Sequence, residues 1–179
     1  MQSTWILSGL VGLALCLGLS VLVSWLAFRA WAASTPDIDE VDELQKGNLA
    51  VAVVLSAMLI STGLVVREAV MPAASTLRTL VSADNAFGGW LQWAGYTAMY
   101  VVGSCAVALF GLVLGMRLFA ALTPDLDEAA EVARGNVAVA LVVAAVLVVV
   151  GWFLALGVAG VLEAAMPWGA LPQVLDGGR

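Results

Sequence analysis

Residues 35–52 read TPDIDEVDELQKGNLAVA, and residues 123–140 read TPDLDEAAEVARGNVAVA. At one constant offset Thr35-Pro36-Asp37 falls on Thr123-Pro124-Asp125, Glu43 on Glu131, Lys46 on Arg134, and Gly47-Asn48 on Gly135-Asn136. The same offset pairs Trp5 with Trp93 and Arg29 with Arg117. Farther on, Glu68-Ala69-Val70-Met71-Pro72 matches Glu163-Ala164-Ala165-Met166-Pro167 once about seven residues, close to two helical turns, are allowed as an insertion in the second copy. A charged sentence written twice, with apolar sequence on both sides of each copy, predicts an internal duplication of a helix–connector–helix unit.

The surroundings say where such units reside. Of 179 residues 63% are apolar and 11% charged, and the mean hydropathy is +1.04, far from the balance of a soluble domain. Apolar runs cover 4–28, 48–66, 90–116 and 136–162, each near or above the twenty or so residues a helix needs to cross a bilayer. The expected fold is an all-α integral membrane protein, with four transmembrane helices arranged as two parallel tandem repeats. The first repeat spans 1–72, an interfacial linker 73–89, the second repeat 90–167 and a flexible tail 168–179. With two spans per unit, the second unit enters the membrane in the same direction as the first, and both connectors lie on one face. Inverted repeats, on which many alternating-access carriers are built, do not fit this count.

The first run ends near Ala30-Trp31-Ala32, which resembles a signal-peptidase site, but no Lys or Arg precedes it and its apolar core is long. A retained helix is expected. Cys16 and Cys105 both lie in spans and suit neither a disulfide framework nor a zinc site. The net charge of −6 argues against nucleic acid as a partner. Cationic residues near span ends number four on the connector face (Arg29, Lys46, Arg117, Arg134) and three on the other (Arg67, Arg78, Arg179), a bias that leans towards connectors in the cytoplasm.

Each charged sentence has the form of a helix start. Thr35 can cap free N–H groups, Pro36 suits the first helical position, and acids from Asp37 onwards sit at the positive end of the dipole; the same holds from Thr123. At helical spacing Val41, Leu44 and Asn48 share one face, and Asp39, Asp42, Glu43 and Lys46 the other. An amphipathic helix running straight into the span is expected. The acidic connector residues are Asp37, Asp39, Glu40 and Glu43 in the first copy and Asp125, Asp127, Glu128 and Glu131 in the second. Their plainest role is a solvated, dipole-matched first turn with Glu43–Lys46 and Glu131–Arg134 pairs. The sharper role is a vestibule that concentrates cations. A dedicated calcium site is disfavoured, since the EF-hand ligand pattern and its central glycine are missing.

Asn48 and Asn136 stand at the edge of hydrocarbon, where an amide needs a hydrogen-bond partner. Interhelical glue, with Gly47 and Gly135 allowing close approach, is one reading; a pore or ligand contact made by two symmetry-related amides is the other. If the two amides meet near a pseudo-symmetry axis, replacing both costs less than the sum of the single changes. Small residues recur every four positions in the first run (Ser8, Gly12, Cys16, Ser20, Ser24), and Gly95, Gly103, Gly111 and Gly115 fall on the same four-residue register in the third. Both stripes read as packing seams, and a hydroxyl-lined path along Ser8, Ser20 and Ser24 is the alternative.

There is no His, phosphate loop or nucleophile elbow, and no acid near the middle of a run. The expectation is a non-enzymatic protein without cofactor, metal or catalytic residues. Trp90 and Trp93 are placed to anchor the third helix at the interface.

The pattern Thr-Pro-Asp-x-Asp-Glu followed by Lys/Arg-Gly-Asn-x-Ala-Val-Ala resembles the bacterial membrane family called domain of unknown function 350, which includes the YjfL-like inner-membrane proteins. Both copies match, on Lys46, Gly47, Asn48 and on Arg134, Gly135, Asn136, and the two units cover nearly the whole chain. The resemblance implies a small multi-pass protein of the cytoplasmic membrane and no established activity, substrate or cofactor. By genomic association it implies a part in envelope maintenance, beside membrane-stress partner proteins. The second copy departs at Ala129, Ala130 and Ala133, which thins its charge. The reading is therefore a membrane subunit whose partners are the lipid bilayer and either its own copies, as a homo-oligomer, or a membrane-stress protein. A channel for small cations or polyamines is the alternative.

Overall fold

The computed structural model describes the backbone of residues 2–34, 39–81, 86–124 and 126–165. Regular structure among them is helical throughout: α1 (Gln2–Ser34), α2 (Glu40–Gln45), α3 (Leu49–Val66), α4 (Val70–Val81), α5 (Ala86–Leu122), α6 (Glu128–Ala133) and α7 (Val137–Ala164). A 3-10 turn, Arg67–Ala69, joins α3 to α4. Four stretches are long and apolar enough to cross a membrane: Gly9–Arg29, Leu49–Leu77, Gly89–Leu122 and Val137–Ala164. They overlap the four apolar runs of the sequence, although the second continues past the expected end at 66 to Leu77 and the third past 116 to Leu122. The 28 residues of α7 extend about 42 Å at about 1.5 Å per residue, beyond the roughly 30 Å of a hydrocarbon core. The chain is a multi-pass, all-helical membrane protein.

The stretch expected as an interfacial linker is helical as far as Val81. Pro72 lacks an N–H and its ring crowds the carbonyl four residues earlier, so a helix running through it is disfavoured in mid-course. The chain tightens to a 3-10 turn just before it, which leaves Pro72 in the first turn of α4, where the missing donor costs nothing. α4 then packs along α5 and touches α1. Trp93 Nε1 donates to the Ala73 carbonyl at 2.8 Å, so this indole is anchored on protein.

α3 is the centre of the bundle. It contacts α1, α5 and most extensively α7, and 56% of its apolar window is buried, against 11% for that of α1. Inside lipid the helices gain little from the hydrophobic effect, and close packing with interhelical hydrogen bonds holds them instead. The α3–α7 seam shows both. A Cβ added at Gly151 would lie 2.6 Å from Ser61 Cβ and 2.9 Å from Ser61 Cα, so only glycine permits the approach. Ser61 Oγ shares its proton between the carbonyls of Ala57 (2.7 Å) and, across the seam, Leu147 (2.9 Å).

The two small-residue stripes fare differently. On α5, Gly111 faces the Leu154 side chain and Gly115 that of Val150, whereas a Cβ at Gly95 or Gly103 would meet open space. On α1 the expected seam is not closely packed among the described residues, and its small side chains border an open groove beside α3. Cys16, Ser20 and Ser24 are exposed, and Gly12 and Gly18 have nothing within 4 Å of an added Cβ. α1 meets its neighbours through the larger side chains of another face, Leu15, Leu19, Leu22, Val23 and Leu26, because branched side chains there offer more contact to α3 than the small stripe does. Ser20 and Ser24 bond carbonyls of their own helix, Leu17 at 2.8 Å and Ser20 at 2.9 Å.

Candidate functional site

The repeated sentence folds into two closely similar elbows. In the first, Asp39 (φ −85°, ψ 99°) caps α2 by accepting from the Asp42 N–H at 3.0 Å. In the second, Asp127 (φ −88°, ψ 90°) caps α6 by accepting from Ala130 N–H at 3.0 Å. A carboxylate there meets both the orphan donors and the positive end of the dipole. Thr123, expected to be this cap, closes α5 instead: its hydroxyl shares its proton between the Phe119 carbonyl, at 3.0 Å, and the Glu128 carboxylate. Thr35, Pro36, Asp37, Ile38 and Asp125 lie outside the described residues.

Each short helix stops within six residues at a glycine with positive φ, 77° at Gly47 and 84° at Gly135. The ends match bond for bond. Gly47 N–H donates to Leu44 O (3.1 Å) and Asn48 N–H to Glu43 O (2.9 Å); Gly135 donates to Val132 O (3.0 Å) and Asn136 to Glu131 O (2.9 Å). This pair of bonds ends a helix through a left-handed residue, a conformation that only glycine adopts at little cost. The connector therefore does not run straight into the span, as its periodicity suggests. It breaks at the glycine and restarts at the asparagine.

Asn48 and Asn136 are the restart. Asn48 Oδ1 accepts from Ala50 N–H (3.1 Å) and Val51 N–H (3.3 Å), capping α3; Asn136 Oδ1 accepts from Val139 N–H (3.4 Å), capping α7. The turn also swings each amide back onto its own connector, so the facial separation of Asn48 from Glu43 on a continuous helix disappears. Asn48 Nδ2 donates to Glu43 Oε2 at 2.8 Å, and Asn136 Nδ2 to Glu131 Oε2 at 2.8 Å. The other carboxylate oxygen takes the cation: Lys46 Nζ lies 3.0 Å from Glu43 Oε1 and 2.5 Å from Asp42 Oδ2, and Arg134 Nη1 lies 2.8 Å from Glu131 Oε1.

These contacts set the charge state of the elbow. The Asn48 amide first, then Lys46, holds the Glu43 carboxyl below the usual carboxylate range. Asn136 and then Arg134 do the same for Glu131. Asp42 and Glu43 push the Lys46 ammonium up. Asp39, Asp127, Lys46 and Arg134 are exposed, while Glu40 and Glu128 are partly covered. Among the described residues Glu40 Oε1 is buried without a hydrogen-bond partner, and no group of three or more Cys, Asp or Glu is arranged to hold a metal.

The elbows are brought together, but by one side only. Asn48 Nδ2 also lies 3.1 Å from Ala133 O and 3.3 Å from Val132 O, which Gly135 N–H shares, at the carbonyl end of α6. Asn136 makes its hydrogen bonds within its own connector and α7. The two amides do not bond to each other, so the expected meeting of paired amides is replaced by a one-way reach from the first elbow to the second.

The arrangement of four apolar helices and two charged elbows has a family counterpart. The family model described as Domain of Unknown Function (DUF350) matches residues 4–158 and, in a second overlapping match, 93–175. The chain belongs to that family. Its members' unknown function leaves the elbow's chemistry to be argued from geometry, and the overlapping matches accord with a motif present twice. No match was found among curated proteins or among solved structures.

Sequence reasoning missed Ser61 and Gly151, the polar and small partners of the central seam. Gly151 interrupts the run Val148-Val149-Val150 just before Trp152, and a lone glycine in a β-branched stretch signals close backbone approach.

Proposed function

We propose that the chain is a non-enzymatic subunit of the bacterial cytoplasmic membrane, built as two tandem parallel helix–connector–helix units, that works in envelope upkeep by assembling with copies of itself or with a second membrane protein. The observation that carries this reading is the state of α1. Its small-residue face, with Cys16, Ser20 and Ser24 exposed and room for a Cβ at Gly12, is left largely uncovered by the described helices, and small residues are what membrane helices use for close mutual approach. A helix with 11% of its apolar window buried contributes little to the bundle it belongs to. Its stripe is better suited to another helix than to lipid, which packs as well against Leu as against Ser. The acidic elbows then form a docking surface at the connector end.

Native mass measurement of the protein drawn from mild detergent tests this, together with cross-linking through Cys16 in a Cys105→Ala background. Oligomers or a stoichiometric partner, and a Cys16-dependent link, are expected. A strict monomer with neither overturns the reading.

A pathway for small cations or polyamines is the second reading. It is favoured by the convergence of both acidic elbows at one end of the bundle through Asn48. Liposomes reconstituted with the protein and assayed for potassium, sodium and polyamine flux decide it, since flux no greater than that of empty liposomes rejects it.

A further inference from the structure

Beneath α6 the bundle leaves a cavity of about 100 Å³, open on one side. Met116 and Phe119 of α5, Val132 of α6, and Val143 and Val146 of α7 form its walls, and Glu128 is its one charged lining residue. Engineered apolar cavities of about 150 Å³ admit benzene, so this space holds a few methylenes of a chain whose remainder runs out through the open side. Its polarity is graded along the bundle. Glu128 stands in the first turn of α6 at the connector end, and Val143 and Val146 lie about one and a half to two and a half turns down α7 from its start at Val137.

We propose that this cavity is a lipid site. A phospholipid with a primary-amine headgroup places the upper methylenes of one acyl chain between α5 and α7, and its ammonium pairs with Glu128. Two observations select the headgroup. Glu128, whose Oε1 is engaged by Thr123, brings a carboxylate to the rim of an otherwise apolar space. The charge of α6 and its caps is also negative: Asp127, Glu128 and Glu131 stand against one cation, Arg134, which is already paired with Glu131. An anionic headgroup meets repulsion there and an ammonium meets attraction. The inference does not depend on oligomerisation, and its test leaves the α1 face unchanged.

The purified full-length protein is loaded with equimolar phosphatidylethanolamine and phosphatidylglycerol of identical acyl chains and examined by native mass spectrometry. A severalfold excess of phosphatidylethanolamine adducts is expected. Glu128→Gln should remove the excess while retaining some of each lipid. Ala129→Phe, at an exposed position on the cavity wall, should reduce retention of both, and thermal unfolding of each variant checks that the fold persists. Equal retention of the two lipids by the unaltered protein, or an excess that survives Glu128→Gln, overturns the proposal. Dodecylamine supplies the source control: displacement of the phospholipid only at a large excess supports a lipid site, and displacement at concentrations well below that of the phospholipid assigns the cavity to free amphiphilic amines and overturns the lipid assignment.

Discussion

The two elbows share a backbone and differ in charge, and the difference separates what makes the turn from what decorates it. In the first, Asp39, Glu40, Asp42 and Glu43 crowd one short helix, and Lys46 bridges Asp42 and Glu43. In the second, Ala129 and Ala130 stand at the places of Val41 and Asp42, and Arg134 holds Glu131 alone. Gly47 and Gly135 nevertheless differ by only a few degrees in φ, and both asparagines bond the glutamate five residues earlier at 2.8 Å. The turn therefore depends on Glu-x-x-Lys/Arg-Gly-Asn, with an Asp at the head as cap. The additional acids alter the field around the elbow without altering its shape. The elbows part company in reach: Asn48 extends to the carbonyls that end α6, and Asn136 serves only its own unit.

The change expected to cost most strikes the seam to which both elbows lead, and it sets the scale for the rest. Gly151→Val forces a side chain into the space held by Ser61 and must push α3 and α7 apart. Overpacking of this kind costs about 3 kcal/mol, and denaturant unfolding in a fixed detergent should show it. The Ser61–Leu147 hydrogen bond is lost with it.

Next come the elbow glycines, which test whether the two turns are equivalent. Valine is poorly tolerated at positive φ, so Gly47→Val and Gly135→Val should each cost about 2 kcal/mol, and by similar amounts because the backbones match. A cost at Gly47 much greater than at Gly135, measured by the same unfolding assay, would mean that the denser charge of the first connector shapes the turn after all.

The asparagines sharpen the contrast in reach. Either Asn→Leu change removes an N-cap worth about 1 kcal/mol. Asn48→Leu also leaves the Ala133 carbonyl without its cross-connector donor, while Val132 O keeps the Gly135 N–H, so its cost should rise to about 1.5 to 2 kcal/mol. Since Asn48 and Asn136 share no partner, the double change should be additive to within about 0.5 kcal/mol. A markedly sub-additive cycle would restore the symmetric pairing that the duplication suggests and the geometry does not contain.

What the sequence disclosed and what it withheld divide along physical lines. Four apolar runs announced four spans, since length and hydropathy are local properties. The Glu43–Lys46 and Glu131–Arg134 pairs were legible from helical spacing, and both are formed. The connector's course was misread because 3.6-residue periodicity continues formally through Gly47, and only the positive φ reveals a stop and a restart. Placing the cap at Thr123 failed for a related reason: the preceding α5 runs on to Leu122, and Thr123 is taken up by its last turn. The α1 stripe reads as a packing seam, yet Cys16, Ser20 and Ser24 are exposed among the described residues, because four-residue periodicity marks a face without naming what packs on it. Contacts such as Asn48–Ala133 and Ser61–Leu147 join residues more than eighty positions apart, and no local pattern encodes them.

The smallest effect expected is acid sensitivity, and it bears on the same asymmetry. Glu43 and Glu131 are both held below the ordinary carboxylate value of 4.5, chiefly by Asn48 and Asn136 respectively. A depressed folded-state value means that the stabilisation is complete above about pH 4.5 and is lost as pH falls through the lower value in the folded protein. The melting temperature in detergent should therefore hold between pH 7 and pH 5 and decline below pH 4.5. Glu43→Gln and Glu131→Gln each keep an acceptor for the asparagine amide and remove the titration. Because the Glu43 carboxylate also orients the amide that reaches α6, protonation in the first elbow loosens two connectors, whereas in the second it loosens one. Glu43→Gln should accordingly flatten the acid decline more than Glu131→Gln does, and equal flattening would mean that the reach of Asn48 across the connectors does not depend on its carboxylate.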